Sequence, residues 1–239
     1  MKNMKKSVLI LLVQFVVIGA VWAQESGTQP PAEVSESNRV RNQADERIYQ
    51  MALRYNDINV AKAKLYDLME RNPRNLRYPE LLASLYFEME QYSSSALVAL
   101  DMLERDDKNI SALEIAAYSL EQVGALERAL PHFESLHLLS GDLFSLYKTS
   151  YLQYTLKKYD EAMNSVNMLI KNSKAGEQNV TFPTENNQTQ EVTMAAAALN
   201  LKGLIYKDQG SNNEARTAFQ EALQKNPDFE LAKTNLASL

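Results

Sequence analysis

The chain has two histidines, and their spacing does not suit a shared metal ion. His132 and His137 stand five positions apart in a segment that we predict to be helical, so they lie on different faces of that helix. The 239 residues include no cysteine, and they contain neither a glycine-rich phosphate loop nor a serine in a nucleophile elbow. The Asp and Glu residues are typical of solvated helix faces. The sequence therefore predicts a protein that is not an enzyme and that needs no cofactor or metal.

Aromatic side chains cluster in the segment 142–154, DLFSLYKTSYLQY. Phe144, Tyr147, Tyr151 and Tyr154 occur there, although only 8% of the chain is aromatic. On a helix these four rings fall within an arc of about 80° at 100° per residue. Tyrosine offers a large contact area, few rotamers and a hydroxyl group, which suits a peptide with apolar side chains. The segment is therefore a candidate binding surface.

The first 23 residues have the organisation of a secretory signal peptide. MKNMKK supplies three lysines, an apolar stretch follows, and VWA places small residues at the minus-three and minus-one positions before Gln24. A retained single-pass anchor is the alternative, but the 17 residues 7–23 are short of the ~20 that span a bilayer. We expect cleavage after Ala23 and a periplasmic or otherwise exported protein. Membrane contact would then require an uncleaved signal segment or a membrane-bound partner.

Without that segment the chain is acidic and poor in residues that break helices. It keeps 22 basic residues against 30 acidic ones, so nucleic acid is not an expected partner. No small-molecule substrate is expected either. Only seven Gly and seven Pro occur in the whole chain, and no run alternates as a strand does. The composition predicts an all-α protein.

A repeated pattern close to 34 residues long organises residues 40–239. Its last copy, at 196–229, contains LNLKGLIYKDQGSNNEARTAFQEALQKNP from Leu199 onward. This segment resembles the tetratricopeptide repeat, in which large, small and turn residues recur at fixed offsets. The matching residues are Leu199, Gly203, Tyr206, Gly210, Ala215, Phe219, Ala222 and Pro227. Lys202 departs from the family pattern, which usually has Leu at that place.

Four earlier copies are predicted near 42–75, 76–109, 110–142 and 143–174. The starts of successive copies are 34, 34, 33 and 53 residues apart, so an insertion is predicted near 174–193. We predict a flexible linker over 24–39, because QESGTQPPAEVSESN is polar and contains two prolines. Residues 230–239 are too few for a sixth hairpin and are predicted to form a capping helix.

The resemblance implies a right-handed superhelical solenoid of about five helix hairpins plus the C-terminal capping helix. In such stacks, certain places of each first helix face a concave groove, and here aromatic residues occupy several of them. The implied peptide-binding groove residues are Phe87, Tyr118, Phe144, Tyr147, Tyr151 and Tyr154. The basic clamp by which some family members hold acidic carboxyl termini is not matched, because positions such as Glu46 and Glu80 are acidic.

The sequence leaves three interpretations of the rings open: an accessible groove, ordinary core packing, and a homodimer interface. The favoured function is a protein-interaction scaffold or adaptor outside the cytoplasm that binds a peptide or protein segment, in cell-envelope assembly or export. The alternative is a structural subunit of a larger envelope complex with no separate peptide ligand. The insertion, rich in Asn, Gln and Thr, is interpreted as a loop between repeats in preference to a lid anchored by Phe182.

Overall fold

The computed structural model describes residues 36–184 and 188–239. The predicted signal peptide and cleavage site lie outside these ranges. The chain divides into two units, Met1–Ala44 and Asp45–Leu239. Within the first unit the described residues are helical from Glu36, four residues before the predicted start of the solenoid, and Arg39 forms an ion pair of 2.7 Å with Glu36. The second unit contains the repeats.

The described residues form eleven α-helices and one small sheet. The helices are α1 (Glu36–Arg54), α2 (Ile58–Arg71), α3 (Arg77–Glu88), α4 (Tyr92–Leu103), α5 (Ile110–Gln122), α6 (Leu126–Ser140), α7 (Leu143–Thr155), α8 (Tyr159–Lys171), α9 (Met194–Asp208), α10 (Asn212–Lys225) and α11 (Glu230–Ala237). The protein is an all-α helical solenoid with one short β-hairpin. Among these helices none combines the length and the apolar character that a membrane span requires.

The first ten helices form five hairpins that are closed by the same turn. In the last hairpin, Gly210 N donates to Lys207 O at 3.0 Å and Ser211 N donates to Tyr206 O at 2.9 Å. The same two backbone hydrogen bonds recur in the other four turns, each around one residue with φ between 57° and 79°. This is the left-handed turn that ends many helices. The five turn residues, Asn56, Glu90, Gly124, Lys157 and Gly210, are spaced as the predicted repeat starts are, at 34, 34, 33 and 53 residues.

Small side chains let the two helices of each hairpin approach closely. Ala61, Ala129, Ala162 and Ala215 are fully buried near the start of the second helices. In the last hairpin Gly203 has no side chain, and the ring of Phe219 occupies the space that a Cβ atom would need. The apolar core therefore runs between the helices of each hairpin and between neighbouring hairpins.

The insertion forms a β-hairpin, which the sequence interpretation as a loop did not anticipate. A 3-10 turn at Ser173–Gly176 leads into β1 (Asn179–Pro183), which pairs antiparallel with β2 (Thr189–Thr193). Val180 lies opposite Val192, and both side chains are buried in the core formed by α7 to α11. Burial of these two valines explains why a segment rich in Asn, Gln and Thr is ordered there.

Candidate functional site

A groove of about 500 Å³ lies between α7 and the first strand of the insertion. Phe144, Tyr147, Lys148 and Tyr151 of α7 form one wall. The whole of β1 forms the other wall, and Leu231 of the capping helix also lines the groove. A volume of this size is within the range of protein sites that hold small ligands or short peptide segments.

The N-terminal cap of α7 fixes which of its faces lines the groove. The carboxylate of Asp142 accepts hydrogen bonds from Ser145 N at 2.7 Å and from Ser145 Oγ at 2.6 Å, as at a capped helix start. Leu146 and Leu152 then lie on the buried side of the helix. The rings at 144, 147 and 151 follow the three- and four-residue spacing of a single helix face.

The three groove rings differ in how much of each is accessible. Phe144 is 37% exposed and Tyr151 is 45% exposed, whereas Tyr147 is half-buried against the core of α7 to α11. Burial raises the pKa of the Tyr147 phenol, so this group is neutral at physiological pH. The groove therefore presents two exposed rings around one that is partly packed into the protein.

Lys148 is the one charged side chain that lines the groove, and its charge is already paired. Its Nζ atom lies 2.9 Å from both carboxylate oxygens of Glu121. The same ammonium lies 5.7 Å from the ring centroid of Tyr118 and 6.0 Å from that of Phe144, within cation–π distance. The groove is consequently close to neutral and mostly apolar.

Comparisons with known proteins identify the fold. The model of the tetratricopeptide repeat family matches residues 196–229, which contain α9 and α10. A solved tetratricopeptide repeat protein from Parabacteroides merdae ATCC 43184 superposes with a TM-score of 0.60 at 16% identity, over 82% of this chain and 71% of that one. The protein has a tetratricopeptide-repeat fold. Two other solved structures with which the solenoid superposes bear on what such a fold can do.

The first is the MamA protein, with a TM-score of 0.61 at 16% identity, over 79% of this chain and 95% of MamA. The second is YrrB, described as a tetratricopeptide repeat protein with an unusual peptide-binding site, with a TM-score of 0.64 at 14% identity, over 86% of this chain and all of YrrB. At these identities the likeness shows the fold alone. A comparison with curated protein sequences gave no match.

The tetratricopeptide-repeat fold divides the six predicted groove residues into two groups. Phe144, Tyr147 and Tyr151 lie together in the groove. Tyr118 is connected to them through Lys148, but its ring packs edge-on against the buried Phe133 at 5.0 Å, and burial raises the pKa of its phenol. Tyr118 therefore stands beside the groove and does not line it.

Phe87 and Tyr154 do not line the groove, and both have the same reason. Each occupies the twelfth place of its repeat, at the end of a first helix, and contacts the ring that begins the second helix five residues later. Phe87 packs edge-on against Tyr92 at 5.2 Å, and Tyr154 packs against Tyr159 at 6.3 Å. Rings at this place close the hairpin turn, so the aromatic track predicted from the sequence is shorter than six residues.

The wall contributed by the insertion was missed from the sequence, although Phe182 signalled it. The Phe182 ring lies 5.1 Å from that of Phe229, which is fully buried beside the capping helix. The side chain of Gln190 bridges the same corner: its Nε2 donates to Asp228 O at 2.6 Å, and its Oε1 accepts from Glu230 N at 3.1 Å. The hairpin is thus fixed to the C-terminal end of the repeats.

The polar residues considered for other chemistry are engaged elsewhere. Glu46 accepts from Arg77 at 3.2 Å and from the Tyr78 hydroxyl at 2.9 Å, and Glu80 accepts from Ser111 Oγ at 2.7 Å. These contacts hold neighbouring first helices together. Within residues 36–184 and 188–239, no group of three His, Asp or Glu side chains is arranged to hold a metal ion.

Proposed function

We propose that the protein is a non-enzymatic interaction scaffold that binds a peptide or protein segment in the groove between α7 and β1. The observation that carries this proposal is the exposure of the Phe144 and Tyr151 rings on an ordered, nearly neutral surface. Exposed aromatic side chains grouped in a concave site are typical of interaction surfaces. The tetratricopeptide-repeat fold is compatible with this role, since such stacks use their extended surfaces for binding.

The geometry favours an accessible groove over core packing. The hairpin stands across from α7 without covering Phe144 or Tyr151, and its own apolar side chains, Val180 and Phe182, are used to pack against the protein. A ring needed only for stability would lie at the low exposure of Phe133 or Phe219, which are fully buried. The peptide-binding site described for YrrB supports the same role by analogy of fold.

The proposed place of action is outside the cytoplasm, in assembly or export at the cell envelope. Its support is the lysine-rich start, the apolar stretch and the small residues before Gln24. Mass spectrometry of the protein purified from its host should give a chain that begins at Gln24. A chain that retains Met1 would contradict the proposed cleavage.

A structural subunit of a larger envelope complex is the second candidate, and a different surface favours it. Leu97, Leu138 and Met168 lie on the second helices α4, α6 and α8, and they are 64%, 82% and 54% exposed. A permanent partner could cover such residues. Light scattering on purified residues 24–239 separates the candidates, because a permanent subunit should aggregate without its complex and a scaffold should remain monodisperse.

The direct test removes the two exposed rings. A Phe144→Ala, Tyr151→Ala double variant of residues 24–239 should keep its helices and its melting temperature within a few degrees, because both rings are partly solvated. As bait against an envelope extract, the variant should lose a protein that the parent captures. Tyr55→Ala is the matched control, since Tyr55 is 72% exposed and does not line the groove. Retention of every partner by the double variant would refute the proposed site.

A further inference from the structure

The strand β1 has one edge that no described element uses. The sheet contains two strands, so β1 is paired on one side only. The ladder to β2 is continued at both ends, where Met194 N donates to Gln178 O at 2.7 Å and Thr184 N donates to Gln188 O at 2.9 Å. Hydrogen-bonded pairs alternate along an antiparallel ladder. The backbone groups of the even-numbered residues from 178 to 184 therefore point towards β2.

It follows that the backbone groups of Asn179, Thr181 and Pro183 point away from β2. The opposite strand supports this alternation, because Thr193, which faces Asn179, directs its own N–H away from β1 to Asn226 Oδ1 at 3.0 Å. The free edge of β1 thus offers two N–H donors, at 179 and 181, and three carbonyl acceptors, since proline has no N–H. Unpaired edge groups of this kind are a template for another strand.

The groove runs along this free edge. Successive side chains of a strand point to opposite faces of the sheet, yet all five residues of β1 line the groove. A cavity over one face would be lined by alternate residues only. The groove is therefore bounded by the edge of β1 on one side and by the rings of Phe144, Tyr147 and Tyr151 on the other.

We propose that the groove binds an extended, uncharged peptide segment as a third strand, hydrogen-bonded to the free edge of β1 with its apolar side chains against the rings of α7. This inference rests on the proposed function and specifies the partner's conformation. Addition of a strand takes its affinity from main-chain hydrogen bonds and its specificity from pockets for alternate side chains. Because Lys148 is already paired with Glu121, nothing in the groove calls for an acidic peptide.

The test uses a substitution that removes an outward N–H and leaves the ladder to β2 intact. Thr181→Pro does this, because proline is tolerated in edge strands where the N–H faces away from the partner strand. Thr181→Val is the matched control, since it keeps the N–H and the branched side chain shape. The probe is a phage-displayed library of random peptides selected on residues 24–239, and the selected peptides are then synthesised and titrated by fluorescence anisotropy.

We expect the selected peptides to bind about tenfold or more weakly to Thr181→Pro, and with unchanged affinity to Thr181→Val. On binding, the amides of Asn179 and Thr181 should gain protection from hydrogen exchange, whereas those of Val180 and Phe182 should be protected already in the free protein. In Thr181→Pro the amides of Val180 and Phe182 should stay protected, which shows that the hairpin is intact.

Other results separate the two levels of the argument. Peptides that need Tyr151 but bind Thr181→Pro normally would overturn strand addition and leave the groove as the site. Failure to select any peptide that depends on Tyr151 would overturn both. A dimer of the free protein that Thr181→Pro converts to monomer would overturn the peptide as occupant, because a second copy would then cover the edge of β1.

Discussion

The close contact between Gly203 and Phe219 gives a sharp test of how the last hairpin is packed. A Cβ atom at Gly203 would lie 2.4 Å from Cε1, 2.5 Å from Cδ1 and 2.8 Å from Cζ of the Phe219 ring. Carbon atoms in contact are normally separated by about 3.5–4.0 Å, and the ring is fully buried with no room to retreat. Gly203→Ala must therefore displace the ring or separate α9 from α10.

Two opposing effects set the magnitude. Alanine favours a helix over glycine by about 1 kcal/mol, which would stabilise the variant if space were available. Overpacking of a well-filled core costs about 1–3 kcal/mol, and contacts this short belong at the upper end of that range. The net expectation for Gly203→Ala is a loss of about 1–2 kcal/mol in the free energy of unfolding, which is opposite in sign to the helix propensity.

Urea unfolding followed by circular dichroism measures this loss, with two further variants as controls. Gly176→Ala should be nearly neutral, because nothing lies within 4 Å of a Cβ at Gly176. In the Gly203→Ala, Phe219→Leu double variant the smaller side chain should accept the new methyl group, so the double change should cost less than the sum of the single ones. An unfolding midpoint for Gly203→Ala equal to or above that of the parent would refute the proposed contact.

Three further variants probe electrostatics and backbone strain by the same unfolding measurement. Burial raises the pKa of Asp45, but its bonds to Lys64 and Arg71 outweigh burial and hold that pKa below its usual value; Asp45→Asn should therefore cost about 1 kcal/mol at pH 7, and the difference from the parent should disappear as the pH falls below about 4. Burial and a neighbouring carboxylate raise the pKa of Tyr154 to about 12, so the parent should lose stability relative to Tyr154→Phe as the pH rises from about 10 to about 12. Lys157 has φ 60° in a hairpin turn, and Lys157→Gly should raise the unfolding free energy by about 0.5 kcal/mol; a decrease would contradict the strain.

The helix hairpins could be predicted from the sequence because their packing restricts residue types at fixed intervals. Places such as Gly203 and Ala215 must be small for two helices to meet, and the turn must allow a left-handed residue. These requirements recur with each hairpin, so they leave a period in the sequence even where single copies are degenerate. Asn56 and Lys157 show the degeneracy, since neither turn has the glycine found at Gly210.

The ring positions could be predicted only in part. Helix periodicity correctly brings Phe144, Tyr147 and Tyr151 to one face, because that relation is local. The periodicity does not include what the next helix presents, and the first residue of α8, Tyr159, takes up the ring of Tyr154. A ring near the end of a first helix is therefore assigned by its partner across the turn.

The hairpin could not be predicted because its stability comes from contacts distant in sequence. Neither five-residue strand has a strong alternating pattern, and a two-stranded ribbon is marginal in water by itself. Val180 and Val192 are buried against α7 to α11, and Phe182 reaches Phe229 beside the capping helix. Those partners lie up to 47 positions along the chain from the strand they stabilise.

The position of the insertion explains why the groove occurs at the fourth hairpin. Every other interval between hairpin turns is 33 or 34 residues, so the next hairpin follows directly and covers the side of the one before. The longer interval of 53 residues places an edge strand beside α7 and leaves a gap between them. Strand and helix then offer different chemistry across that gap, backbone hydrogen-bonding groups on one side and aromatic rings on the other. A regular stack of helices has no unpaired backbone groups to offer, so the specificity of the groove depends on the interruption of the repeat.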